Sequence, residues 1–198
     1  MKIIGLTGGS GAGKGEVCKA FLRLGIESID TDKISREITR KGECLIELVE
    51  NFSGDILKDD GELDRKKLAY IAFSSKENHA NLNKITHKYI LKECNRIMLE
   101  MQSSGSKAVI IDAPMLFESG FDKNCDIIIS VIADLEKRVG RIKKRDGITD
   151  EQAENRIKNQ KCDGFFIENS DYAIYNNFDL NDVYTQVLKI YNIIFGEN

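Results

Sequence analysis

The chain has 198 residues, enough to bury a core without disulfide or metal staples. Apolar residues make up 41% and charged residues 31%, an ordinary soluble balance, and the net charge is −3. Nothing in that charge calls for nucleic acid or an anionic membrane, so any phosphate binding has to be a local arrangement. The five cysteines (Cys18, Cys44, Cys94, Cys125 and Cys162) are odd in number, with no C-x-x-C pair. With His79 and His87 as the two histidines, a zinc cluster is not expected, and the thiols read as reduced groups of a cytoplasmic protein.

In chain order, residues 2–7 read as a first strand and run into a glycine-rich loop. A helix follows with Val17, Ala20, Phe21 and Leu24 on one face. Residues 26–30 read as a strand and 33–40 as a helix. From 43 to 103 the rhythm changes to helices alone: 43–52, a turn at Asp59-Asp60-Gly61, 64–73, and a long stretch over 77–102 with Ile90, Cys94, Ile97 and Met101 on one face. Strands return at 107–112 and 126–132, a second helical excursion covers 134–168, and a short strand is expected at 172–175. Met1–Leu6 is too short for a signal peptide, and the apolar run near Ile127–Ala133 has the length of a buried strand, not of a membrane span. Near-continuous apolar strands separated by helices predict an α/β fold, a parallel five-stranded sheet covered on both faces. One compact unit is expected, with its core at about 1–42, 104–133 and 169–198 and helical parts at 43–103 and 134–168.

The strongest signal is Gly8-Gly9-Ser10-Gly11-Ala12-Gly13-Lys14, a G-x-x-x-x-G-K pattern between a predicted strand and a predicted helix. Glycines let the backbone curl so that successive N–H groups converge on phosphate oxygens, the helix start adds its positive end, and Lys14 supplies a full charge. This is the chemistry of ATP binding. The position after the lysine departs from the pattern. Gly15, followed by Glu16, stands where a Ser or Thr hydroxyl would ligate Mg²⁺. A water can occupy that position, because Mg²⁺ keeps several waters. The expectation is weaker metal binding with activity retained.

Two carboxylates end strands. Asp30-Thr31-Asp32 closes the second and Asp112-Ala113-Pro114 the third, where a parallel sheet places ligands. Asp32 is a candidate base for an attacking hydroxyl, and equally a candidate N-cap for the helix that follows. Asp112 could hold a Mg²⁺-bound water or cap the turn at Met115. Arg138, Arg141 and Arg145, spaced i, i+3, i+7, share one helix face. Alone they would be a solvated stripe; with a phosphate loop, an arginine that stabilises transition-state charge becomes reasonable. Arg36 could pair with Asp32 at i, i+4 and lower its pKa.

Taken in order, Gly8–Lys14, Ile29-Asp30-Thr31-Asp32, Asp112-Ala113-Pro114-Met115-Leu116-Phe117-Glu118, Lys144-Arg145-Asp146 and Ser170-Asp171-Tyr172-Ala173-Ile174-Tyr175-Asn176-Asn177 resemble the dephospho-CoA kinase family, from about residue 1 to 195. The resemblance implies a three-layer P-loop NTPase fold with a helical substrate-binding insertion and a helical lid. It implies ATP-dependent phosphorylation of the ribose 3′-hydroxyl of dephospho-CoA, the last step of coenzyme A synthesis. ATP and Mg²⁺ are the implied cofactors, with Mg²⁺ carried mainly by ATP and water. Carried over, Asp32 resembles the catalytic base, with Lys14 and Arg145 beside it in catalysis. Gly9, Ser10, Gly11, Ala12, Gly13, Lys14, Gly15 and Glu16 form the nucleotide loop; Arg141 is implied near ATP and Asn176 near its adenine. Arg36, His87, Leu116, Phe117 and Glu118 fall on the substrate side, with Asp32. Three positions depart: Gly15 from the hydroxyl residue, Lys88 from a frequent proline, and Tyr175 from a frequent aspartate. The alternatives are another nucleoside or nucleotide kinase with the same loop, and a nucleotide-binding protein whose catalysis is impaired at Gly15.

Overall fold

The structure, a computed structural model, describes residues 1–196. Its strands are β1 (Lys2–Thr7), β2 (Glu27–Asp30), β3 (Ala108–Asp112), β4 (Ile127–Ile132) and β5 (Tyr172–Tyr175). They form one all-parallel sheet in the order β2-β3-β1-β4-β5. The pairing puts Leu6 beside Asp112 and Thr7 beside Ser130. The chain leaves central β1 toward one edge and later crosses to the other. The carboxyl end of β1 is therefore a switch point, where open parallel sheets bind ligands.

The helices are α1 (Lys14–Arg23), α2 (Thr31–Ile38), α3 (Glu43–Phe52), α4 (Arg65–Ala72), α5 (Lys76–Ser103), α6 (Leu135–Asp146), α7 (Asp150–Lys158), α8 (Asp163–Glu168) and α9 (Leu180–Phe195). All five strands lie within a residue of the expected spans. In α5 the fully buried line is Ile85, Cys94 and Met98. Ile90, Ile97 and Met101 flank it half-buried, because the apolar stripe winds around a helix of this length.

Backbone contacts divide the chain into two units, Met1–Ile29 with Gly105–Asn198, and Asp30–Ser104. The first is built on the sheet. Ile4, Leu6, Ile110, Ile129 and Val131 pack with Val17 and Phe21 of α1 and Val183 and Val187 of α9. Each is fully or almost fully removed from water, which at roughly 1.5–3 kcal/mol per large apolar side chain makes this cluster the main source of stability. The second unit has its own core, in which Leu48, Phe52, Ile56, Leu68 and Ile85 meet. It also contains the expected turn: Gly61 is left-handed at φ 80°, and an antiparallel bridge joins Leu57 to Leu63. Among the described residues no helix is long and apolar enough to cross a membrane.

Candidate active site

In the first unit, Gly8–Gly13 leave the end of β1 and deliver the chain into α1. Gly8, Gly11 and Gly13 all have positive φ, at 138°, 77° and 97°. At Gly13 a Cβ would lie 2.0 Å from Asn176 Nδ2, and at Gly9 it would lie 2.2 Å from an Arg138 guanidinium nitrogen. The loop is therefore held against a wall of polar side chains, and positive φ favours glycine at Gly8, Gly11 and Gly13.

That wall works on the carbonyls. Arg141 donates from Nη1 to the carbonyls of Gly11 and Ala12, both at 3.2 Å. Its Nη2 donates to the backbone and side-chain oxygens of Asn176. Asn176 is itself buried, and its Nδ2 donates to the Ala12 carbonyl at 2.8 Å. Arg138 Nε donates to the Ser10 carbonyl at 3.0 Å. The N–H groups of Gly11, Gly13, Lys14 and Gly15 donate to no acceptor among the described residues. A loop with its carbonyls tied and its N–H groups free at a helix start is an anion receptor. Lys14 Nζ, 3.3 Å from the Gly8 carbonyl, adds the charge. Glu16 is turned to Lys19 at 2.8 Å.

The arginine face is not a solvated stripe. Arg138 is buried, with its side chain 5% exposed, and pairs with Asp163 at 3.0 Å. Arg141 is half-buried against the loop. Arg145 alone is exposed, and it forks onto Asp146 through Nε and Nη2 at 2.7 and 2.8 Å. Arg145, joined by Arg156, holds the Asp146 carboxyl well below the usual carboxylate range. Sequence reasoning places Arg138 on the arginine face without its role as a brace, and Gln160 is not singled out. Gln160 Oε1 accepts from the Ser10 N–H at 2.8 Å, so the segment after α7 is tied to the phosphate loop. Replacing Arg138 by alanine should therefore lower stability by about 2–4 kcal/mol, since it leaves Asp163 and the Ser10 carbonyl without their partner. Thermal unfolding checks it: Tm should fall by roughly 5–15 °C.

Thr7 Oγ1, at the end of β1, is buried without a hydrogen-bond partner. Asp112 Oδ2, at the end of the neighbouring strand, accepts from Cys18 at 3.8 Å. Burial first, then this carboxylate, pushes the Cys18 thiol up to about 12, so it stays protonated. All five cysteines are free. Leu116 is fully buried, and a Cβ at Gly5 would lie 2.9 Å from its Cδ2; its side chain belongs to the core. Phe117 packs edge-on against Phe165, with ring centroids 5.3 Å apart, and Glu118 is exposed.

The second unit carries Asp32, Arg36 and His87. The helix cap falls to Asp30, whose carboxylate accepts from the Lys33 N–H at 2.9 Å, so α2 begins at Thr31 and not at 33. The alternative of Asp32 as cap is thereby corrected: Asp30 already holds the extended cap position, and Asp32 lies within the first turn. Among the described residues no ion pair joins Arg36 to Asp32. Both are exposed, and neither is committed to another side chain. His87, half-buried on α5, is held below its ordinary pKa by burial.

Comparison with known proteins decides the lineage. The family model described as Dephospho-CoA kinase matches residues 2–182. The chain belongs to the dephospho-CoA kinase family. A dephospho-CoA kinase of Corynebacterium glutamicum is 39% identical over 191 residues, covering 96% of each chain. One of Fusobacterium nucleatum is 40% identical over 187 residues, covering 94% of this chain and 95% of its own. The structure of dephospho-CoA kinase from Campylobacter jejuni superimposes with a TM-score of 0.70 at 27% identity over 98% of each chain. The family makes this chain an ATP-dependent kinase for a small molecule, with a P-loop kinase fold.

Proposed function

We propose that the chain transfers the γ-phosphoryl group of ATP to the ribose 3′-hydroxyl of dephospho-CoA, with Lys14 and the loop N–H groups holding the phosphates and Asp32 receiving or orienting the hydroxyl. The observation that carries this reading is the phosphate loop itself. Its carbonyls are tied back by Arg138, Arg141 and Asn176, while the N–H groups of Gly11, Gly13, Lys14 and Gly15 are free. Such donors need no reorganisation when charge develops on the transferring group. Asp32 suits the acceptor side because its carboxylate is exposed and is neither capping nor paired. Arg36, His87, Leu116, Phe117 and Glu118 are assigned to the acceptor. For Leu116 this means the backbone of its loop, since the side chain is in the core.

Arg141 and Asn176 act on ATP through the loop they brace, and Asn176 places the backbone that lies beside the adenine. Segment 134–168 is assigned as the lid. It brings Arg145 to the phosphates when a closed state excludes water. The cytoplasm is the proposed location, and five free thiols support it.

The residues fit Mg²⁺ carried on ATP and water. Gly15 offers no side-chain ligand. The buried unpartnered Thr7 hydroxyl and the Asp112 carboxylate are hard oxygens of the kind Mg²⁺ and its waters use. When bound, the ion neutralises charge on the β- and γ-phosphates. A Cβ at Gly15 would meet nothing within 4 Å, so serine is admitted there. Gly15→Ser should lower the Mg²⁺ concentration for half-maximal rate several-fold and raise stability by about 0.5 kcal/mol, because glycine weakens a helix turn. A Mg²⁺ titration of the initial rate reads the first and thermal unfolding the second; unchanged Mg²⁺ dependence would argue against a metal role for this position.

The direct test is mass detection of CoA from purified protein, ATP, Mg²⁺ and dephospho-CoA, with nucleoside monophosphates as parallel acceptors. CoA formation is the expected result. Phosphorylation of a monophosphate without CoA would replace the acceptor, and ATP binding without transfer would make the chain a binding module.

A further inference from the structure

A cleft of about 640 Å³ opens wholly within the second unit, between the end of α2, the turn at 58–64 and the start of α4. Arg36, Arg40, Lys58, Arg65 and Lys66 line it, against two carboxylates, Glu62 and Asp64. Neither carboxylate balances the cations. Asp64 caps α4, accepting from the Lys66 and Lys67 N–H groups at 3.0 Å each. Backbone hydrogen bonding, that of Lys67 first, holds it below its ordinary pKa. Glu62 is paired with Lys58 at 3.4 Å. Arg36, Arg40, Arg65 and Lys66 remain as uncompensated charge on a chain whose net charge is −3. Such a concentration is unfavourable by itself and calls for an anion.

The cleft is also built. Arg65 Nη2 donates to Thr39 Oγ1 at 2.8 Å and to the Arg36 carbonyl at 3.1 Å. Thr39 is buried, and its hydroxyl is fixed by donating to the Ser35 carbonyl at 2.6 Å. One edge of the Arg65 fork is thereby anchored and the rest is left to a ligand. A rigid, partly pre-bonded guanidinium loses little freedom on binding, and its planar fork matches phosphate oxygens. Arg36 and Arg40 make no side-chain bond or ion pair among the described residues.

We infer that this cleft binds the diphosphate of the acceptor, with Arg40 and Arg65 as its principal contacts. The inference rests on the function proposed above. Asp32 stands in the first turn of α2 and Arg36, which lines the cleft, one turn on, roughly 6 Å away along the axis at 1.5 Å per residue, with Arg40 just past the helix end. An acceptor that bears its reacting hydroxyl and a diphosphate on the same ribose suits that spacing. A neutral nucleoside would leave the cations unmatched.

Steady-state kinetics of Arg40→Gln and Arg65→Gln test the assignment, with Lys76→Gln, an exposed charge outside the cleft, as control. Each cleft variant should raise KM for dephospho-CoA by about tenfold or more, the scale of one charge-assisted contact, and move KM for ATP less than twofold. Pyrophosphate should inhibit competitively against dephospho-CoA, with a Ki weakened in parallel. Rising salt should raise KM for dephospho-CoA in the wild type more than in the variants. Thermal unfolding of each variant separates loss of fold from loss of contact; Arg40, with no internal partner, should keep its Tm. An unchanged KM for dephospho-CoA in a folded Arg40→Gln overturns the inference, as does pyrophosphate binding weakened with no change in that KM. Wild-type protein that makes no CoA would instead defeat the underlying reading, before any variant is compared.

Discussion

Replacing Lys14 by alanine should lower kcat/KM for CoA formation by about 10³-fold or more, with little change in stability. Removal of a single preorganised neutral donor costs roughly 10²–10³ in rate, and Lys14 is a full charge in a partly water-excluded loop. Its ammonium makes one weak internal bond, 3.3 Å to the Gly8 carbonyl, so the fold does not depend on it. The loop is held instead by Arg138, Arg141 and Asn176. Initial rates with ATP in excess, alongside thermal unfolding, check the expectation. A loss below tenfold with an unchanged Tm would remove Lys14 from the reaction. A large fall in Tm would show the lysine supporting the loop and not the phosphates.

Asp32→Asn should lower kcat by about 10²–10⁴-fold, the usual contribution of a positioned general base, while binding of both substrates changes little. The structural side effects are small, because Asp30 and not Asp32 caps α2, and the Asp32 carboxylate holds no other side chain. Asparagine keeps the shape and can still orient a hydroxyl, but it cannot take its proton. A loss near the upper figure, together with loss of the acid limb of the pH–rate profile, would assign proton acceptance to Asp32. A loss below tenfold with the limb retained would assign orientation alone. Asp30→Ala serves as contrast: it removes the cap, costing about 1 kcal/mol of stability.

Much of the fold was legible because β1, β3 and β4 are buried on both faces and carry near-continuous apolar runs such as Val109-Ile110-Ile111. The phosphate loop was legible for a related reason. Positive φ at Gly8, Gly11 and Gly13, with close backbone approach at Gly8 and Gly11, calls for glycine, so the backbone geometry is written in residue type. Long-range polar partners leave no such mark. Gln160 reaches Ser10 across 150 positions, and Asn176 reaches Ala12 across 164. Arg65, 26 residues beyond Thr39, passes in sequence for one more surface cation after a turn.

The sequence by itself determined the α/β class, the phosphate loop, the carboxylates at the strand ends and the family, because periodicity and local backbone demands act over a few residues. Only the tertiary structure decided how those cations and carboxylates are used. Arg138 became a buried brace and Arg141 a clamp on the loop carbonyls, while Arg145 stayed at the surface. Asp30 took the cap and left Asp32 uncommitted, and Arg65 joined Arg36 and Arg40 around one cleft. A charged side chain takes its role from whichever group folding brings within hydrogen-bonding distance, and that distance is set by packing and not by spacing along the chain.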